Sequence, residues 1–155
     1  MRSARRGRRS RHRPPRRSRA APACLAGLGA VLALCGCGGV RSADLFLVQR
    51  SGQGPSAKLT MLVTEEGGIS CNGGRELRLA DPQIVQARAI QEDLHDPASQ
   101  HLSLPPGPGS VLSYNVRDVD GSVRFSDNSR GQPAVLRRLA AFVLQTAQQV
   151  CHLPE

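Results

Sequence analysis

Five cysteines and four histidines are the residues of this 155-residue chain whose types could do chemistry. The cysteines are Cys24, Cys35, Cys37, Cys71 and Cys151; the histidines are His12, His95, His101 and His152. Thiols can bridge, bind metal or attack a substrate, and imidazoles can move protons or bind metal. Spacing decides among these. Zinc takes ligands in pairs; Cys151-His152 are adjacent and no second pair has suitable spacing, so no metal is expected. No His-Glu-x-x-His, Gly-x-Ser-x-Gly or Walker loop is present, and no motif fixes a nucleophile beside a base. The chain is therefore predicted to be no enzyme, with no catalytic residue and no cofactor. Asp118-Val119-Asp120-Gly121 followed by Asp127 has the acid density of a calcium loop. An EF-hand needs Gly at its sixth position and Glu at its twelfth. Gly121 comes too early, and a hairpin turn accounts for the same residues. His95, near a predicted helix end, is favourable to the helix dipole without further role.

The net charge of +9 suggests a nucleic-acid binder until it is divided along the chain. Residues 1–36 hold ten arginines, from Arg2 to Arg19, and no acid. Residues 37–155 hold eleven basic and twelve acidic residues, so that part is close to neutral. It lacks the basic face that nucleic acid requires, and one tyrosine, three phenylalanines and no tryptophan make a poor base-stacking platform. No nucleic-acid partner is expected.

The arginines stand before an apolar run, Ala23 to Leu34, as in the charged and hydrophobic regions of a signal peptide. The run ends in Leu34-Cys35-Gly36-Cys37, which resembles the lipobox of bacterial lipoproteins: a leucine, two small residues and a cysteine. The resemblance implies cleavage before Cys37 and lipidation of its thiol. It also implies a signal peptide at 1–36, a lipidated tether at 37–43, and a protein anchored in the cell membrane facing the extracytoplasmic side. Leu32-Ala33-Leu34-Cys35 is a second register, but it puts a bulky leucine at the cut. An uncleaved anchor is the competing reading. A span needs ~20 apolar residues, and Ala20 to Val40 has that length, with Pro22, five glycines and three cysteines inside it. Arg16-Arg17 also leaves twin-arginine export open beside the general secretory route.

On the lipobox reading, Cys24 and Cys35 leave with the leader and Cys37 takes the lipid. Cys71 and Cys151 remain, an even pair in an oxidising compartment, and are expected to form a disulfide. Two buried free thiols are the alternative.

One domain, residues 44–155, must position these groups. Asp44 to Arg50 reads as a well-covered strand. Lys58 to Thr64 reads as a second, with Leu59, Met61 and Val63 on one face. Glu65-Glu66-Gly67-Gly68 turns into a short third strand, Ile69 to Cys71. Asp81 as N-cap and Pro82 as first residue open a helix. Ile84, Ala87, Ile90 and Leu94 form its apolar stripe, and it should stop near Leu94–Asp96, before Pro97. Residues 97–109 read as a loop. Leu112, Tyr114 and Val116, then Val123 and Phe125, alternate as a hairpin, with Asp120-Gly121 as a type I′ turn. A helix from Pro133 carries Val135, Leu136, Leu139, Phe142, Val143, Ala147 and Val150 on one face. The expected fold is α+β: a small antiparallel sheet of about five strands in the order β-β-β-α-β-β-α, with both helices on one face. Asn72-Gly73-Gly74 and Pro105-Pro106-Gly107-Pro108-Gly109 are candidate recognition loops, with plain connection the simpler reading.

Arg50-Ser51-Gly52, Tyr114-x-Val116, Asp120-Gly121, Val123-x-Phe125 and Pro133-x-x-Leu136-x-x-Leu139 give this domain a layout similar to emfourin-type inhibitors. These are small bacterial proteins that inhibit thermolysin-like metalloproteases. The chain departs from them in Gly52-Gln53, where the family has Gly-Gly, in the Cys71/Cys151 pair and in the 97–109 loop. The resemblance implies a non-catalytic, protein-binding domain, in its sharpest form protease-inhibitor-like, with an extracytoplasmic metalloprotease as partner. It assigns no binding residue. A structural or small-ligand-binding envelope protein is the alternative.

Overall fold

The computed structural model describes residues 43–54 and 56–153. Chain order is β1 (Asp44–Gly52), β2 (Leu59–Thr64), β3 (Gly68–Cys71), β4 (Leu77–Arg78), α1 (Asp81–Ser99), β5 (Leu112–Arg117), β6 (Ser122–Ser126) and α2 (Ala134–Gln149). The class is the expected one, α+β, with one antiparallel sheet and two helices. The spatial order is β4-β3-β2-β1-β5-β6.

Alternation along each strand builds the core. Phe46 and Val48 of β1 stand opposite Val63 and Met61 of β2; Val48 also meets Val116 of β5, which meets Val123 of β6. All six are buried. At the start of β1 the register slips between Asp44 and Phe46, a bulge that lets Leu45 and Phe46 both bury. Onto this face pack Ala87, Ile90, Leu94 and Ala98 of α1 and the apolar stripe of α2, forming one cluster. Each fully buried Leu, Ile, Val or Phe contributes ~1.5–3 kcal/mol of transfer free energy. The helices run antiparallel: Gln83 Nε2 donates to Gln149 Oε1 at 3.5 Å, and Arg138 pairs with Asp93 farther along.

Four local expectations need correction. A sixth strand, β4, pairs with β3 through Gly68–Arg78 and Ile69–Leu77; two residues are too few to show alternation in sequence. The N-cap of α1 is Ala80, whose N–H donates to Gln83 Oε1 at 3.1 Å, while Asp81 sits inside the first turn. The helix runs on to Ser99 with Pro97 inside it. Pro97 falls in the last turn, where its missing N–H costs the helix a single bond, the one to the Asp93 carbonyl. Burial of Ala98 holds that turn in place. The stop is a Schellman motif: His101 N–H donates to Ala98 O and Leu102 N–H to Pro97 O, each at 2.9 Å. His101 takes the left-handed position at φ +50°, usually glycine's. Finally, the β5–β6 connection is not a two-residue type I′ turn, which needs positive φ at both centres. Four residues separate the strands, and Asp118 Oδ1 accepts the N–H groups of Asp120 and Gly121 at 2.9 Å each. Gly121 is required there because a Cβ would strike the Ala98 carbonyl at the end of α1.

The 97–109 segment is more than a connector. Ser103 bridges Arg124 in parallel; Leu104 N–H donates to Arg124 O and Arg124 N–H to Leu102 O, both at 2.9 Å. The outer edge of β6 is thereby covered.

Candidate functional site

Among the described residues no helix covers the other face of the sheet, and its middle is polar. Register aligns Thr60 of β2, Gln49 of β1, Asn115 of β5 and Arg124 of β6 in one row across four strands. Strand alternation alone puts these four on the same side. Asn115 Nδ2 donates to Gln49 Oε1 at 3.1 Å, and Arg117 Nη2 donates to the same oxygen at 3.4 Å. Ser113 and Ser126, one register step away, hydrogen-bond through their hydroxyls at 3.1 Å. Leu104 and Pro106 rise as a wall beside β6. Gln49, Thr60, Asn115, Arg124, the two serines, Leu104 and Pro106, with Ser51 and Lys58, line a cavity of about 660 Å³.

Lys58, Arg117 and Arg124 make this face cationic, and no carboxylate lines the cavity. Amide, hydroxyl and cation groups can hold a peptide backbone or a carboxylate. None of the serines here has a histidine as hydrogen-bond partner, so the arrangement suits binding better than acyl transfer.

The predicted loops serve mainly to build this scaffold. Asn72, at φ +54°, accepts Thr60 N–H on Oδ1 at 2.9 Å and returns its own N–H to Thr60 O at 2.7 Å. The 105–109 loop is held by Asn128, which accepts Gly107 N–H on Oδ1 and donates from Nδ2 to Pro108 O. Asp127 secures the start of β5, accepting from Ser110 Oγ and the N–H groups of Val111 and Leu112. Burial alone would raise its carboxyl, but those hydrogen bonds outweigh it and hold the group below its ordinary value.

The acids proposed for calcium do not converge. Asp118 folds onto its own turn, Asp127 onto residues 110–112, and Asp120 pairs with His95 at 3.0 Å. Among the described residues no group of three or more His, Cys, Asp or Glu could hold a metal. His101 and His152 both take positive φ just past the helices, so their places are conformational. His95 differs. The hydrogen bond and charge of Asp120 raise its pKa above 6.5. A group raised on folding contributes stability fully below its unfolded pKa, and that contribution disappears as pH rises through the folded one. In an NMR titration the His95 midpoint should fall on Asp120→Asn; an unchanged midpoint would show that the pair does not form in solution.

Cys71, at the end of β3, and Cys151, just past α2, lie at disulfide-bonding distance with Cα atoms 6.1 Å apart. Cys37 and the whole Leu34–Cys37 stretch lie outside the described residues, as does the leader. No helix among the described residues is long and apolar enough to cross a membrane. Arg50-Ser51-Gly52 falls on the end of β1, Tyr114 and Val116 on β5, Asp120-Gly121 on the following turn, Val123 and Phe125 on β6, and Pro133, Leu136 and Leu139 at the start of α2. Sequence reasoning named no binding residue. The signal was present in the polar alternates Gln49, Thr60, Asn115 and Arg124, but their alignment depends on register between distant strands.

No protein-family model, curated protein or solved structure matches the chain.

Proposed function

We propose that this chain is an extracytoplasmic lipoprotein anchored through Cys37, whose domain binds a protein partner through the open face of its sheet and carries out no chemistry of its own. The observation that carries the binding reading is the cationic polar face. Two helices bury one side of the six-stranded sheet, while Lys58, Arg117 and Arg124 stand on the other, and no acid lines the cavity that Lys58 and Arg124 border. Buried interface cores select against lysine, so these cations fit a rim that steers an acidic partner. The lipobox resemblance supports the location. The emfourin-like layout supports an extracytoplasmic metalloprotease as that partner, with the domain as its inhibitor.

A soluble domain of residues 38–155, titrated against a thermolysin-like metalloprotease, should inhibit it. Lys58→Glu with Arg124→Glu should weaken inhibition about tenfold or more, chiefly through the association rate and more so at low salt. Absence of inhibition at micromolar excess would remove the inhibitor reading. Inhibition unaffected by the double reversal would move the contact off this face.

A further inference from the structure

Leu104-Pro105-Pro106-Gly107-Pro108 leaves the edge of β6, where Leu104 N–H donates to Arg124 O at 2.9 Å. Proline chemistry restricts this backbone before any packing is considered. Each ring holds φ at about −65°. Leu104 and Pro105 each precede a proline, which pushes them out of the helical region. The segment is therefore extended, close to polyproline II. Its far end is clamped: Asn128 Oδ1 accepts Gly107 N–H at 3.1 Å, and Asn128 Nδ2 donates to Pro108 O at 2.6 Å. A Cβ at 107 would strike the Asn128 carbonyl, so only glycine allows this close approach.

Held in this way, the segment presents its chemistry outward. Pro105, Pro106 and Pro108 are all exposed. Proline has no N–H, and Gly107 spends its own on Asn128. No donor among the described residues reaches the carbonyl of Pro105 or Pro106. The surface is thus made of apolar rings and hydrogen-bond acceptors, without a backbone donor. Pro105 and Pro108 have the Pro-x-x-Pro spacing, which matches one face of a helix of about three residues per turn. Both line a groove of about 320 Å³ with Arg130. Arg130 is exposed, and no carboxylate among the described residues pairs with it.

We propose, independently of the sheet-face reading, that this loop docks into a groove of a second protein lined by aromatic side chains. The aromatic faces pack on Pro105 and Pro108, donors at the groove reach the Pro105 and Pro106 carbonyls, and an acidic margin meets Arg130. This is recognition of a preformed polyproline II segment. The proline rings and the Asn128 clamp set the conformation in advance, so binding has little backbone left to order.

The probe is an isolated SH3 domain with an acidic loop beside its aromatic groove, titrated into the isotopically labelled full chain in a non-ionic detergent. Saturable NMR shifts are expected at the amides of Gly107, Gly109 and Arg130. The same probe with its groove tryptophan replaced by alanine should produce none. Pro105→Ala with Pro108→Ala should weaken binding about tenfold or more. Arg130→Glu should weaken it as well, and more so at low salt. These positions are exposed, and unmoved amide signals of buried Val116 and Val123 would show that each variant keeps its sheet. No saturable shift with the SH3 domain, shifts that persist with the tryptophan variant, or an affinity indifferent to the proline substitutions overturns the proposal. Shifts confined to Gln49, Asn115 and Arg124 would put the contact on the sheet face and overturn it too.

Discussion

Replacing Cys71 and Cys151 together by serine should lower the stability of the domain by about 4–5 kcal/mol, the loop-closure estimate for a link of this span. The two residues are 80 apart in sequence. A bond between them would close most of the domain into one loop, from β3 through α1, β5, β6 and α2. In the unfolded chain that loop removes many conformations; in the folded one it holds the end of α2 on β3. Domains of this size have ~5–15 kcal/mol in total, so the loss would take a large share. Reductant should destabilise the native chain by a similar amount and leave the double-serine variant unchanged. Non-reducing peptide mapping should join the two cysteines. Alkylation of both thiols without reductant, or a native chain indifferent to reductant, would mean that the pair at bonding distance is not bonded in solution.

Phe142→Ala should cost about 3–5 kcal/mol, the usual range for a phenylalanine truncated in a core. Phe142 is buried on α2 and meets Phe46 of β1 edge-on, with ring centroids 6.0 Å apart and planes at 82°. The chain has three phenylalanines, one tyrosine and no tryptophan. The remaining two aromatics, Tyr114 and Phe125, stack at 4.8 Å on β5 and β6. Neighbours near Phe142 are therefore mostly aliphatic, and nothing of similar size is at hand to refill the space. Urea unfolding should show a lower midpoint with an unchanged slope. Val85→Ala on the exposed side of α1 is the control and should stay within about 0.5 kcal/mol of the native chain. A small loss at Phe142 would mean that α2 does not seat on the sheet as described.

Those two sites show what periodicity reveals. The apolar stripe of α2 and the alternation of β2, β5 and β6 are local patterns, and each placed its element and its buried face from sequence; β1 read only as a well-covered strand. Leu77–Arg78 escaped because a two-residue strand has no period; only pairing with β3 defines it. Pro97 misled because a helix-breaking rule applies to helix interiors, while here the ring falls in the last turn and a Schellman motif at His101 ends the helix. Thr146 is polar yet buried on α2, a contribution to the packed face that a hydrophobic stripe omits. Arg50 shows the opposite case. Its parity with Phe46 and Val48 marks it as inward-facing, but a charged residue at a strand end reads as solvent-exposed. Its hydrogen bonds go to the carbonyls of Ser56 and Ala57, in the segment between β1 and β2, which no periodicity reveals. The cationic face was equally hidden, since Lys58 precedes β2 while Arg117 and Arg124 lie on β5 and β6, and only strand pairing puts them on one sheet face.

The pairing of Cys71 with Cys151 and the choice of an extracytoplasmic partner both depend on where this domain resides, and location depends on Cys37. The most direct measurement is the intact mass of the chain extracted from membranes of its native host. Loss of residues 1–36 together with a diacylglyceryl adduct on Cys37 is the predicted result. A chain that retains Arg2 to Arg19, or one without lipid, would contradict the anchored-lipoprotein account.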